Sequence, residues 1–171
     1  MKTVKTFIVL ITFLGFMSCA DNKEVSSLTV DRYIELLKAN QYDSLNLPAF
    51  TCQDIPALLA YRNDTTVIRD FPCNPISSYY VPKCTLGMYV IWTIESIRSV
   101  AIQSDRLIQR FPSQSPILAL RDSTEMILVY DTLSQEVVAK AYNDWWENNE
   151  RTNFKDFKSI DPLAGTNYKW H

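Results

Sequence analysis

The chain has 171 residues, 47% of them hydrophobic and 21% charged, with a net charge of −2 when its one histidine is neutral. That balance suits a single folded domain and excludes an intrinsically disordered chain. Setting aside Lys2 and Lys5 at the start leaves 15 basic groups against 19 acidic ones, a net −4, so there is no electrostatic ground for a nucleic-acid partner.

Residues 1–18 read as a signal peptide. Lys2 and Lys5 give a positive start, an apolar run extends over residues 7–14, and the segment is too short to span a bilayer comfortably. It ends in Phe16-Met17-Ser18-Cys19, which resembles the lipobox of bacterial lipoproteins, with a small residue just before the cysteine. That resemblance implies lipidation of Cys19, and two or more acyl chains anchor stably where one does not, at about 0.8 kcal/mol per buried methylene. The expected location is the bacterial cell envelope, at the outer membrane. Residues 19–28 then form the lipidated cysteine and a polar tether, and residues 29–171 a single domain.

Thr29 caps a helix to about Asn40, with Val30, Tyr33, Ile34 and Leu37 as its buried stripe. A second helix starts at Asp54 with Pro56 in its first turn, where a missing amide proton costs nothing. Thr66-Val67-Ile68 reads as a short extended piece. From Asp70 to Cys84 three prolines make a rigid irregular connection. Cys73 and Cys84 flank that connection and would close the shortest disulfide loop among the three cysteines that follow the leader. The stretch Cys84–Gln103 is the central helix. Leu86, Tyr89, Val90, Ile94, Ile97 and Ala101 form one stripe, and Met88, Ile91, Trp92 and Ile102 form a second apolar side. Glu95 and Arg98 are spaced to pair along its surface.

Further on, Ser104-Asp105 caps a continuation through Arg110, Ser115-Pro116-Ile117 opens another short helix, and Glu125–Tyr130 is assigned to helix because no partner strand is evident. Thr132 to Gln135 fits a capping box for a helix to about Glu150, with Val137, Val138, Ala141, Tyr142, Trp145 and Trp146 on its apolar face. Phe154, Phe157 and Ile160 suggest a final short helix, and Tyr168 and Trp170 lie back on the domain. The expected fold is all-α: an irregular multi-helix domain with proline-rich connections, whose consecutive helix pairs suit a short helical solenoid.

Chemistry is sparse. The one histidine, His171, is the last residue, a poor position from which to orient a base, so Ser-His-Asp and Cys-His catalysis are not expected. Zinc-type spacing and a glycine-rich phosphate loop are both missing from the sequence, so no metal and no cofactor is expected. One acid pair, Glu95 with Glu125 or Asp144, could in principle serve an envelope glycan hydrolase. Trp92, Trp145 and Trp146 fall on helical stripes and read as core, leaving Tyr79, Tyr80 and Trp170 as candidate binding aromatics. The leading expectation is a binding or scaffolding domain held to the membrane by its lipid, with an envelope protein or glycan as partner.

The leader, the blocks LGMYVIWTIESIR and AKAYNDWWENN, and the ending IDPLAGTNYKW together resemble a family of small uncharacterised lipoproteins of gut Bacteroides. The resemblance covers most of residues 29–171 and rests on the paired tryptophans and the DPL–W ending. It implies a cell-envelope home and a domain of unknown function, and it supplies no catalytic residue.

Overall fold

The computed structural model describes residues 28–79 and 81–171. The lipidation expected at Cys19, the expected leader and most of the expected tether, and the candidate Tyr80, therefore lie outside the described residues.

Helix α1 spans Val30–Lys38, and its N-cap Thr29 accepts a hydrogen bond from the Arg32 amide at 3.2 Å. Helix α2 (Ile55–Leu59) follows a 3₁₀ turn at Cys52–Asp54. That turn is closed by a reciprocal capping box between Thr51 and Asp54, and Pro56 sits in the first turn of α2. Helix α3 (Leu86–Ala101) is the centre of the molecule. Thr85 caps it, and all its residues from Leu86 to Ser99 except Met88 are buried. A helix this fully covered carries its charged pair inside: Glu95 and Arg98 are buried, not laid along the surface. Helix α4 (Thr132–Glu147) packs on α3 through Val138, Ala139, Tyr142 and Trp145. A final turn of helix, α5 (Phe154–Phe157), puts Phe154 and Phe157 edge-on to Trp145.

The all-α expectation is overturned by five strands. Strand β1 (Val67–Ile68) pairs antiparallel with β2 (Cys84–Thr85). A second antiparallel sheet has the order β4-β3-β5, from Leu128–Val129, Leu118–Leu120 and Tyr168–Trp170. The segments assigned to helix at 115–122 and 125–130 are thus the middle strand and one edge strand of this sheet, and the segment after Asp105 is a chain of turns with a bridge between Ile108 and Phe111. The reason is non-local. Ile117, Leu118 and Ala119 form a fully buried run whose length fits helix or strand, and the partner that decides, β5, lies about 50 residues downstream. The expected capping box at Thr132 shifts by one residue. Asp131 is the N-cap, accepting from the Ser134 amide at 2.8 Å, and Gln135 is used elsewhere.

Glycine is scarce, and two helix ends use other residues in the left-handed conformation. Asn40 (φ 54°) follows α1 and Gln103 (φ 53°) follows α3. Each is succeeded by an amide that returns to the last turn, Gln41 to the Leu36 carbonyl and Ser104 to the Ser99 carbonyl. The proline-rich connection is tied to α3 by the Tyr89 hydroxyl, which donates to the Pro72 carbonyl at 2.9 Å.

Candidate functional site

A cleft of about 220 Å³ opens between the two sheets. One wall is the β1–β2 ribbon with Val67, Cys84 and Thr85. The other is the β4–α4 junction with Val129, Tyr130 and Asp131, and Met88 and Ile117 close the apolar interior. The walls are tied by the Thr85 hydroxyl, which donates to the Gln135 side-chain oxygen at 2.6 Å while also capping α3. Gly87 lets the helices approach here: a Cβ at that position would stand 2.7 Å from the Gln135 amide nitrogen and 2.4 Å from the Arg62 carbonyl oxygen.

The lip carries polar and aromatic groups. Lys83 and Asp131 stand at the rim. Tyr130 is 63% exposed, and its hydroxyl shares a hydrogen bond with that of Tyr79, which is 41% exposed. Burial of its oxygen and that bond push the Tyr130 hydroxyl up to about 12, so it remains a neutral donor in water. Tyr79 in turn stands edge-on to the His171 ring at 5.8 Å, and the His171 Nδ1 lies 2.8 Å from the buried Ser115 hydroxyl. The last residue is not frayed. Its amide donates to the Ile117 carbonyl and its carbonyl accepts from the Gln114 amide. Ser115 is nonetheless only 2% exposed, so this Ser–His contact buttresses the sheet and presents no nucleophile to solvent.

Among the described residues of the cleft, the thiol and the serine hydroxyl are both held in unreactive settings. Burial pushes the Cys84 thiol well above its ordinary value, which keeps it from acting as a thiolate. The Ser134 hydroxyl donates to the Asp131 carbonyl. Among the described residues, no group of three or more His, Cys, Asp or Glu side chains is placed to hold a metal ion. What the arrangement offers is shape, an apolar interior and a rim of hydroxyls.

The sequence-derived candidates fall in different places. Cys84 lines the cleft and Tyr79 touches its lip through Tyr130. Cys73, Cys84 and Cys52 are free thiols in this structure: Cys73 is exposed with its thiol on the Phe71 carbonyl, and Cys84 on β2 lies close enough for Cys73 to raise its thiol further. Trp170 belongs to the edge strand β5, is half-buried, and its Nε1 donates at 2.9 Å to the Tyr142 hydroxyl. Glu95 accepts from Arg98, Tyr142 and Ser99 and is 6% exposed, so it is not free to work across a cleft with Glu125 or Asp144. Tyr130, Met88, Thr85 and Gln135 were not anticipated. For Tyr130 the sequence carries no alternation: Met126-Ile127-Leu128-Val129-Tyr130 is an unbroken apolar run, and the structure leaves Met126, Ile127 and Tyr130 exposed while Leu128 and Val129 are half-buried.

Among the described residues no helix is long and apolar enough to cross a membrane. Residues 24–171 match the family described as Domain of unknown function (DUF4943). No curated protein and no solved structure matches the chain.

Proposed function

This chain belongs to the DUF4943 family, a domain of unknown function, and from its own residues we propose a lipid-anchored cell-envelope protein whose domain binds a partner protein at the cleft beside Tyr130. The anchor rests on the sequence of the leader, with Lys2 and Lys5, the apolar run and Ser18-Cys19 in the order that lipid modification requires. Lipidated at Cys19, the domain is held at the outer membrane.

The single observation that carries the binding half is the cleft. At about 220 Å³ it is below the usual range of drug-sized sites and matches one bulky apolar side chain. The tyrosines on the lip have an apolar body and a polar tip, the combination favoured at protein interfaces. A partner that inserts an aliphatic or aromatic residue would bury the interior and exchange hydrogen bonds with Tyr130, Lys83 and Asp131.

Two measurements separate the halves of this proposal. Cells fed labelled palmitate should label the wild-type chain and not Cys19→Ala; an unlabelled wild-type chain removes the anchor. A photo-crosslinking residue at position 67 in living cells should give a discrete adduct that Tyr130→Ala weakens at least tenfold. An adduct indifferent to Tyr130→Ala, or none, removes the cleft as the docking point.

A further inference from the structure

A second concave surface shares no lining residue with the cleft. It runs between α4 and the turn at 160–166, with a volume of about 460 Å³, within the range of ligand sites. From its chemistry we infer that this groove binds a neutral saccharide.

Charge comes first. Two carboxylates line the groove, Asp144 and Asp161, and each has its own cation: Lys140 bonds to Asp144, and Arg121 meets Asp161 at 3.0 Å. An ion gains little from a surface already balanced in this way, whereas the carboxylate lone pairs remain acceptors for hydroxyl groups. Asn148 adds an exposed amide that can both donate and accept. Between these polar groups lie Val137, 37% exposed, and Ile160, 50% exposed, apolar surface of the kind the C–H face of a pyranose covers. A ligand with hydroxyls at its edges and hydrocarbon on its face fits that alternation.

Trp145 floors the groove: it is 6% exposed, packed among Tyr142, Trp146, Phe154 and Phe157, and its indole Nε1 is enclosed beneath the surface. Gly165 lines the groove and faces open space: a Cβ there meets nothing within 4 Å, and its backbone is not in the left-handed region, so a large side chain can be placed there to fill the groove. The groove inference does not rest on lipidation or on the cleft, and it stands or falls separately.

The test uses the full chain in a polyoxyethylene detergent, which carries no sugar. Titration calorimetry is run against dextran, mannan, laminarin and galactan, with polygalacturonate as the acidic counterpart. Binding of at least one neutral polymer, weakened tenfold or more by Gly165→Trp and several-fold by Asn148→Ala, is the expected result. The inference is overturned if no neutral polymer binds, if polygalacturonate binds as well as the best of them, or if Gly165→Trp, with a wild-type circular dichroism spectrum, binds as wild type does.

Discussion

The Tyr142 hydroxyl of α4 donates to the Glu95 carboxylate of α3 at 2.6 Å, and both side chains are buried. The same carboxylate receives two bonds from Arg98, at 2.9 and 2.6 Å, and Tyr142 itself accepts from Trp170 of β5. One buried anion thus joins the two long helices to the carboxy-terminal strand. Burial first, and then the Glu95 charge, push the Tyr142 hydroxyl far above its ordinary value, so it stays a donor. Arg98 is lowered by burial but raised more by Glu95, and stays charged.

Removing one partner of a buried charge pair leaves the other uncompensated, at about 3–5 kcal/mol. Glu95→Gln should cost that much in urea unfolding. Tyr142→Phe strands the Trp170 donor and should cost about 1–3 kcal/mol. Because both changes damage one network, the double variant should lose less than the two singles added together. Strict additivity would mean that Tyr142 and Glu95 are not coupled.

The two glycines of the described domain make opposite predictions. Gly87→Ala forces a methyl to 2.4 Å from the Arg62 carbonyl, which is backbone and has little room to yield, and disturbs Gln135 on the cleft wall. Overpacking of that kind costs about 1–3 kcal/mol. Gly165→Ala meets open space and should stay within about 0.5 kcal/mol of wild type. Equal melting temperatures for the two variants would contradict the close approach at Gly87.

Much of the helical frame is legible in the sequence, because α1, α3 and α4 carry their apolar residues at helical spacing and Thr29 reads as the cap of α1, although the α4 cap is Asp131, one residue before the expected Thr132. The burial of Glu95 and Arg98 was also within reach: a helix apolar on two sides has little free surface left for a pair three residues apart. The second sheet was not legible. Leu118-Ala119-Leu120 is too short to show a period, and it is a strand because Tyr168–Trp170 lies beside it, a contact no local window contains. That one error carried to the site. With Glu125–Tyr130 read as helix, Tyr130 had no reason to stand beside Cys84 and Thr85, and the cleft, a space between two sheets, could not be foreseen in a chain expected to have none.

His171 should report on the corner where Tyr79, Ser115 and the sheet meet. Partial burial lowers its imidazole below the ordinary 6.5, so the folded protein favours the neutral ring. As pH falls, the unfolded chain takes up the proton first. Its contribution to stability is therefore complete above about 6.5 and is lost as pH falls through the lower folded value. As the one histidine in the chain, it gives a single Cε1 proton resonance. That resonance should titrate below 6.5 in the native protein and near 6.5 in urea. A native midpoint at or above 6.5 would show the ring to be open to solvent.

The three thiols should differ in reactivity by their surroundings. Cys73 is exposed, Cys52 is half-buried, and Cys84 lies at the cleft wall with its thiol pushed well above the ordinary value, first by burial and then by Cys73 nearby. Alkylation requires the thiolate and a path to it. With iodoacetamide at pH 8, native protein should be modified at Cys73 first and at Cys84 last, as read by peptide mass spectrometry, and all three should react at similar rates in urea. Tyr130→Ala shortens the lip of the cleft and should speed Cys84 at least several-fold without changing Cys52. Cys73 and Cys84 both silent until a reductant is added would reveal a bridge between them and overturn the free-thiol arrangement. Cys84 reacting as fast as Cys73 in the native protein would mean that the cleft wall does not shield it.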